Sequence, residues 1–330
     1  MEYTDLLRNT WFILIGVLFI GYSILDGFDL GVGMLMPFIT REDKDRKILI
    51  NSIWPVWDGN EVWLLTGAGA LFAAFPVAYA SVFSGFYLLF MLTLFALIFR
   101  AVSMEFWYYD EKRKGLWAAA FSIGSFLPPL LLGLIIGNIL LGMPLNDKFQ
   151  FTSTLSLIFR PFPVLCAVLA VVFMIMHGAS YLALKTEGSL CDKAERVASR
   201  IWFFALFVLI VAVISIFLFF LEKSHNPVMW VLSLLIFIAL FLFKKFSYSG
   251  KAGLSFLLSS LIFAELWICA GVILYPNLLN GLGSNGLSIY NASSSKLTLR
   301  IMLTFALIGV PIVLAYTIYV YRIFKGKVRE

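Results

Sequence analysis

The sequence carries little charge. Asp, Glu, Lys and Arg make up 13% of its 330 residues, below the roughly 25% typical of soluble domains. Apolar residues make up 61%, more than a soluble core of this size can bury. These proportions exclude a soluble enzyme, a nucleic-acid-binding protein and a disordered chain, and they indicate an integral membrane protein.

Cysteine is also scarce. Cys166, Cys191 and Cys269 are odd in number and widely spaced, which excludes a disulfide framework and gives no zinc-ligand pattern. The sequence has no Walker motif, no GxGxxG after a strand and no CxxC pair, so it lacks the usual sites for ATP and NAD. We therefore predict no metal site.

Long apolar runs are abundant. A bilayer core requires about 20 apolar residues per helix, and nine runs meet that length. We predict an all-α integral membrane protein in which residues 1–330 form one transmembrane domain. The second and third spans are expected to form a tight hairpin around Phe75 and Pro76. The nine predicted spans are about 11–37, 55–75, 78–100, 117–141, 161–184, 201–221, 227–243, 253–275 and 299–322.

Basic residues predict the orientation of the chain. Nineteen of the 25 Lys and Arg residues fall on one side of the predicted spans, and six fall on the other. Excess Lys and Arg mark cytoplasmic loops. The bias places the N-terminus outside and the C-terminus in the cytoplasm, which agrees with an odd number of spans.

Charged residues interrupt the first three spans near their cytoplasmic ends. Residues three apart share one helix face, and two acidic pairs have that spacing. An arginine and a further acid lie at the end of the third span. If these spans pack together, their side chains converge at one depth. The residues are Asp26 and Asp29, Asp58 and Glu61, and Arg100 and Glu105.

This convergence has two interpretations. The acids and Arg100 can form an ion-pair cluster that only locks the helices together. Alternatively, they form a proton-conducting entrance from the cytoplasm, because carboxylates in series with water are common relay groups in membranes. One arginine cannot neutralise four intramembrane acids, so some must be protonated or hydrated. That imbalance favours the proton relay.

Histidine is limited to two residues. His177 lies beside two methionines, and both residue types can ligate heme iron. A hydrogen-bonded intramembrane histidine is the more ordinary interpretation, so His177 is only a weak candidate for a heme ligand. Glu265 is a lone intramembrane acid that either hydrogen-bonds to a neighbour or lines a second polar path. Trp63, deep in the second span, is predicted to face a partner or a cavity.

Small residues in the first two spans predict close helix packing. Gly27 and Gly31 form a GxxxG pair, and residues 67–70 are Gly-Ala-Gly-Ala. Such surfaces let helix backbones approach closely. We expect those around Gly31 and Gly67 to contact a partner subunit.

Several motifs resemble those of one family, subunit II of the cytochrome bd-type quinol oxidases. The two longest are DGFDLGVG at 26–33 and NSIWPVWDGNEVW at 51–63. The resemblance runs nearly from end to end. Shorter matches are ALFAAFP at 70–76, SGF at 84–86, GSFLPP at 124–129 and NASSSKLT at 291–298.

The resemblance implies a complex that oxidises membrane quinol and reduces oxygen to water. Subunit I would hold the quinol site, two b-type hemes and one heme d or b. Subunit II would have two four-helix bundles and one peripheral helix, form a heterodimer with subunit I and support assembly. Lipids and a small single-helix subunit are further implied partners. The expected location is a bacterial or archaeal cytoplasmic membrane.

The resemblance also implies roles for individual residues. Asp58 matches an acid at a proton-path entrance, and Trp63 matches a tryptophan associated with oxygen access. Asp29 and Arg100 match polar positions near the subunit interface. The chain would then contribute no catalytic residue or heme ligand of its own. The alternative function is a secondary transporter, which also uses intramembrane acids, but transporters usually pair broken helices in two halves.

Overall fold

A computed structural model describes residues 3–152, 155–282 and 286–328. This part of the chain is almost entirely helical, with one short ribbon in which β1 (Asn277–Leu279) pairs antiparallel with β2 (Leu287–Ser288). Its helices are α1 (Tyr3–Ile39), α2 (Asp43–Ile53), α3 (Trp57–Ala74), α4 (Pro76–Gly85), α5 (Tyr87–Tyr109), α6 (Lys114–Leu141), α7 (Pro161–Lys185), α8 (Gly188–Phe219), α9 (Leu221–Ser224), α10 (Pro227–Tyr248), α11 (Ala252–Leu274) and α12 (Lys296–Ile323).

Within the described ranges, eight helices are long and apolar enough to cross a membrane: α1, α5, α6, α7, α8, α10, α11 and α12. The predicted span at 55–75 corresponds to α3, which has 18 residues and is not among the eight. Asp58, Asn60 and Glu61 lie near its start and lower its mean hydropathy. A ninth span formed by α3 therefore stays a prediction.

The predicted third span differs from the structure. Helix α3 ends at Ala74, and a separate helix, α4, begins at Pro76, where the missing proline N–H suits the first helical turn. Helix α5 then runs from Tyr87 to Tyr109. The expected tight hairpin is thus a short intervening helix. Arg100 lies inside α5 rather than at its end, because α5 continues nine residues beyond it.

Helix α1 lies at the centre of the helix packing. It contacts α3, α6, α7 and α11, while α5 packs along α6. A second group comprises α7, α8, α10 and α11, which contact one another in sequence around the group. The main contacts of α12 are with α1 and α3, and the most apolar stretch of α12 contains no buried residue. Helix α12 is therefore peripheral to both groups.

Glycines set the distance between α1 and α7. A Cβ atom built on Gly31 would overlap the Met174 carbonyl oxygen and lie 2.8 Å from the Gly178 Cα. On α3, a Cβ on Gly67 would lie 2.9 Å from the Phe19 ring. The predicted close packing is present, but Gly31 and Gly67 face helices of this same chain. Gly31 and Gly67 themselves therefore do not contact a partner subunit, and an interface of α1 and α3 with such a partner stays a prediction.

Ion pairs bring several helix ends together at one end of the molecule. Asp45 of α2 accepts a hydrogen bond from Lys193 of α8 at 2.9 Å, and Asp43 lies 3.8 Å from Lys114 at the start of α6. Lysines and arginines concentrate here, so we call this end, where α1, α5, α7 and α12 finish, the basic end.

At the opposite end, the residues just before α12 contact the end of α3. Ser294 donates hydrogen bonds through its N–H to the Ala74 carbonyl (2.8 Å) and through its hydroxyl to the Ala73 carbonyl (2.6 Å). The last carbonyls of a helix have no intrahelical partner, so Ser294 satisfies two of them in α3. Ser295 then accepts from the Thr298 N–H at 3.2 Å and caps α12, as serine commonly does.

Candidate functional site

A buried ion pair joins α1 to α5. Arg100 Nη1 lies 2.9 Å from Asp26 Oδ1, and neither side chain is more than 1% exposed. Gly124 of α6 makes room for the arginine, since a Cβ there would lie 2.9 Å from the Arg100 Cβ. Removing two charges from water is unfavourable unless they are paired closely. The pair therefore fixes the relative positions of these helices.

A second buried carboxylate lies one turn further along α1. Asp29 Oδ2 accepts a 2.7 Å hydrogen bond from the Asn60 amide of α3. The same amide nitrogen donates to the Leu25 carbonyl at 3.2 Å, and Asn60 Oδ1 accepts from the Tyr321 hydroxyl at 2.9 Å. Asn60 therefore links α1, α3 and α12, and its amide orientation is set by both a donor and acceptors.

Several polar atoms of these buried side chains have no hydrogen-bond partner. Among the described residues, Asp29 Oδ1 and Arg100 Nε and Nη2 are buried without a partner. A buried polar atom left unpaired costs about 1–3 kcal/mol, and nearly all such atoms are paired in native proteins, with protein or with water. Of the two fully buried acids, Asp26 is paired with the Arg100 guanidinium and Asp29 is bonded to the neutral Asn60 amide, so the pair is suited to holding an exchangeable proton.

The other predicted acids are less buried. Glu61 is half-buried on α3 and lies within electrostatic range of Asp26, Arg100 and Asp58. Asp58 is exposed one turn earlier on α3, and Glu105 is exposed on α5. The structure therefore assembles Asp26, Asp29, Arg100 and Glu61 into one cluster, which we call the carboxylate cluster. It leaves Asp58 and Glu105 on the surface of the chain.

Sequence reasoning missed two members of this network. Asn60 lies between the two predicted acids of α3. A polar residue in that turn of an otherwise apolar span could have been predicted as a member of the network. Tyr321 lies 261 residues away in the last turns of α12. Tyrosine near the end of a span is common in interfacial belts, so nothing in the sequence distinguished Tyr321 from those.

Trp63 packs inside the chain. It is half-buried on α3, and its indole lies against Gly21 of α1, where a Cβ would come within 2.6 Å of the ring. The glycine thus provides the space that the indole occupies between the two helices. One side of the ring therefore packs on α1, and the expectation that the half-buried side chain also faces a partner or a cavity stays a prediction.

His177 is buried with both ring nitrogens engaged. Nδ1 lies 2.7 Å from the Ser259 hydroxyl, and Nε2 lies 2.9 Å from the Ile24 carbonyl. A carbonyl can only accept, so Nε2 donates to Ile24, while Nδ1 shares a hydrogen bond with the Ser259 hydroxyl. The ring also stacks on Phe256 at 4.6 Å. This arrangement is that of a hydrogen-bonded intramembrane histidine and leaves neither nitrogen free to ligate heme iron.

Glu265 lies apart from the carboxylate cluster. It is half-buried on α11, and its Oε2 has no hydrogen-bond partner among the described residues. Within the same part of the chain, no group of three or more His, Cys, Asp and Glu side chains is placed to hold a metal ion.

Comparison with known proteins gives consistent results. A sequence model described as cytochrome bd terminal oxidase subunit II matches residues 7–324. Cytochrome bd-I ubiquinol oxidase subunit 2 of Escherichia coli K12 is 33% identical, and the alignment covers 99% of this chain and 96% of that protein. Cytochrome bd ubiquinol oxidase subunit 2 of Bacillus subtilis is 35% identical, with 98% and 97% covered.

A solved structure shows the same fold. A chain of the bd oxidase from Geobacillus thermodenitrificans superimposes with a TM-score of 0.79, covering 96% of this chain and 98% of that one. The sequence identity is 16%, so this similarity concerns the fold alone.

Proposed function

The chain belongs to the family of cytochrome bd terminal oxidase subunit II, and from this premise we propose how it works within the oxidase complex. It is a multi-pass protein of the bacterial cytoplasmic membrane and a subunit of a quinol-oxidising oxidoreductase. Membership implies heme cofactors, a quinol substrate and a subunit I partner. A secondary transporter is not favoured, since the full-length relatives are oxidase subunits.

The hemes belong on subunit I in this proposal. Two b-type hemes and one heme d or b, together with the quinol site, lie there, and the two subunits form a heterodimer. The support from this chain is the engagement of both His177 nitrogens within its own fold. His225, the other histidine of the sequence, follows the short helix α9 outside the predicted spans. A small single-helix subunit and lipids complete the proposed assembly.

The proposed topology has nine spans, with α3 as the ninth. The N-terminus faces outside and the C-terminus faces the cytoplasm. Helices α1, α3, α5 and α6 form one four-helix bundle, α7, α8, α10 and α11 form the second, and α12 is the peripheral helix. The concentration of Lys and Arg at the basic end supports this orientation.

We assign proton uptake to the carboxylate cluster. The observation that carries this assignment is the burial of two carboxylates, Asp26 and Asp29, with one buried guanidinium, that of Arg100, which is paired with Asp26. Asp58, exposed at the basic end, would take a proton from cytoplasmic water and pass it to Glu61, one turn deeper. Glu61 then exchanges it with the buried pair. Glu105 offers a second surface carboxylate near the same end, and Trp63 is proposed to border the route by which oxygen reaches the hemes.

Replacing Asp58 with asparagine tests the proposed route. Asparagine preserves size and hydrogen bonding but cannot carry the proton. We expect Asp58→Asn to leave heme content and assembly unchanged and to slow oxygen consumption per heme, more strongly as pH rises because protons become scarcer. Asp147→Asn, an exposed acid in the α6–α7 connection, is the matched control and should have normal activity.

Two outcomes contradict the assignment. Unchanged activity per heme across the pH range would show that Asp58 is not an essential relay. Loss of heme or of complex yield together with activity would show that Asp58 only supports folding. A reduced-minus-oxidised spectrum of the purified complex tests the family assignment separately, because a colourless lone protein would exclude an oxidase.

A further inference from the structure

A cavity of about 290 Å³ opens at the basic end, between the ends of α2, α7 and α12. The segment after α12 folds back to form one wall. Val328 N–H donates to the Lys185 carbonyl at 2.8 Å, and Lys185 Nζ donates to the Phe324 carbonyl at 2.6 Å. About 10–15 Å³ of such free space already holds one water molecule, so the cavity is much larger than a single water site. A phosphate group with part of its carrier would therefore fit.

The residues that line the cavity favour an anion. Lys185, Lys325 and Lys327 are among them, and none of the described lining residues is a carboxylate. An ammonium has three donors and no acceptor, and Lys185 uses one of its three on Phe324. Asn51, which also lines the cavity, accepts from the Tyr108 hydroxyl at 2.6 Å through Oδ1. The amide N–H donors of Asn51 have no hydrogen bond to a described residue.

The general excess of basic residues at the cytoplasmic side does not explain why these lysines line a cavity. Basic residues accumulate at cytoplasmic ends of membrane proteins, but residues serving only that purpose need no enclosure. Here Lys185 is half-buried, and its hydrogen bond to Phe324 helps to hold the folded-back segment that encloses the cavity. Basic pockets between membrane helices at this level bind anionic lipid head groups, and lysine is a common phosphate ligand.

We propose that this cavity binds a phosphate group, carried by the head group of an anionic phospholipid or present as free phosphate. Lys185, Lys325 and Lys327 supply the positive charge, and Asn51 supplies a neutral donor. The cavity lining includes Tyr321, which donates to Asn60, but it contains none of the carboxylates of the carboxylate cluster, so phosphate binding is tested separately from proton uptake.

Lipid binding to the purified, delipidated complex tests the proposal. Phosphatidylglycerol, phosphatidylcholine and inorganic phosphate are titrated separately and followed by native mass spectrometry. The test variant is Lys185→Gln with Lys325→Gln. The control is Lys112→Gln with Lys245→Gln, which makes the same change in charge at two exposed lysines outside the cavity. Each lysine near a membrane surface contributes favourable binding free energy toward an anionic lipid. Removing two lysines should therefore weaken phosphatidylglycerol binding about 30-fold.

The comparison of ligands identifies the source of the phosphate. Saturable, variant-sensitive binding of phosphatidylglycerol that inorganic phosphate does not displace indicates a lipid head group. Saturable, variant-sensitive binding of inorganic phosphate alone indicates free phosphate. If neither ligand distinguishes the test variant from the control, the proposal is wrong. Lys325→Gln with Lys327→Gln, in the exposed segment after α12, repeats the test if replacement of Lys185 prevents assembly.

Discussion

Replacing Gly31 with alanine should separate α1 from α7. The new Cβ would overlap the Met174 carbonyl oxygen and lie 2.8 and 2.9 Å from the Gly178 Cα and N. All three are backbone atoms, so no side chain can rotate out of the way. The two helices must move apart, and the interface around the buried residues of α1 must lose contacts.

The size of the effect follows from two opposing terms. Overpacking a well-packed interior destabilises by about 1–3 kcal/mol, and a clash with backbone belongs at the upper end of that range. Alanine has a helix propensity about 1 kcal/mol better than that of glycine, which offsets part of the loss. We therefore expect a net destabilisation of about 1–2 kcal/mol.

Thermal unfolding of the purified complex measures this effect, and Gly16→Ala is its control. Gly16 lies on the same helix, but a Cβ there has no neighbour within 4 Å in this chain, so the variant keeps only the gain in propensity. We expect a lower midpoint for Gly31→Ala and an equal or higher midpoint for Gly16→Ala. Equal midpoints for the two variants would refute the inferred α1–α7 contact.

Four further substitutions have defined outcomes. Arg100→Gln leaves Asp26 buried without its cation and should cost about 3–5 kcal/mol; recovery of assembled complex should fall, and adding Asp26→Asn should restore part of it. His177→Ala should leave the heme-to-protein ratio of the complex unchanged, whereas loss of one heme would identify His177 as a ligand. Ser294→Ala removes one hydrogen bond to the end of α3, about 0.5–1.5 kcal/mol, and should speed hydrogen exchange at the start of α12. Tyr321→Phe should lower oxygen consumption per heme without loss of heme; normal turnover would show that the link to Asn60 is dispensable.

The sequence predicted the class of fold more completely than the local geometry. Apolar length predicts eight helices that the structure shows as long and apolar enough to cross a bilayer, because lipid requires that length from any span, whereas α3 as a ninth span stays a prediction. Arg100 is an example of what the sequence alone did not predict. Arg100 counts as a loop cation by its charge, yet it lies inside α5, where Asp26 neutralises it. A pairing between distant helices cannot be read from the composition of either one.

The small residues are a second example of what the sequence alone did not predict. The spacing of Gly27 and Gly31 predicts a close helix neighbour, and α7 is that neighbour at Gly31. The pattern does not say whether the neighbour belongs to the same chain, since backbone approach has the same steric requirement in both cases. Tyr321 was missed for a related reason, because its hydrogen bond to Asn60 joins segments that are far apart along the chain.

The hydrogen bond between Tyr321 and Asn60 has a consequence for biosynthesis. The two residues are separated by 261 positions, and ribosomes add about 5–20 residues per second. Helices α1 and α3 are therefore made roughly 10–50 s before the hydroxyl that completes the environment of Asn60. Until then the amide of Asn60 lacks one of the groups that orient it toward Asp29. A nascent chain that has not yet inserted α12 therefore contains the buried acids but lacks the hydroxyl that helps to orient Asn60 beside Asp29.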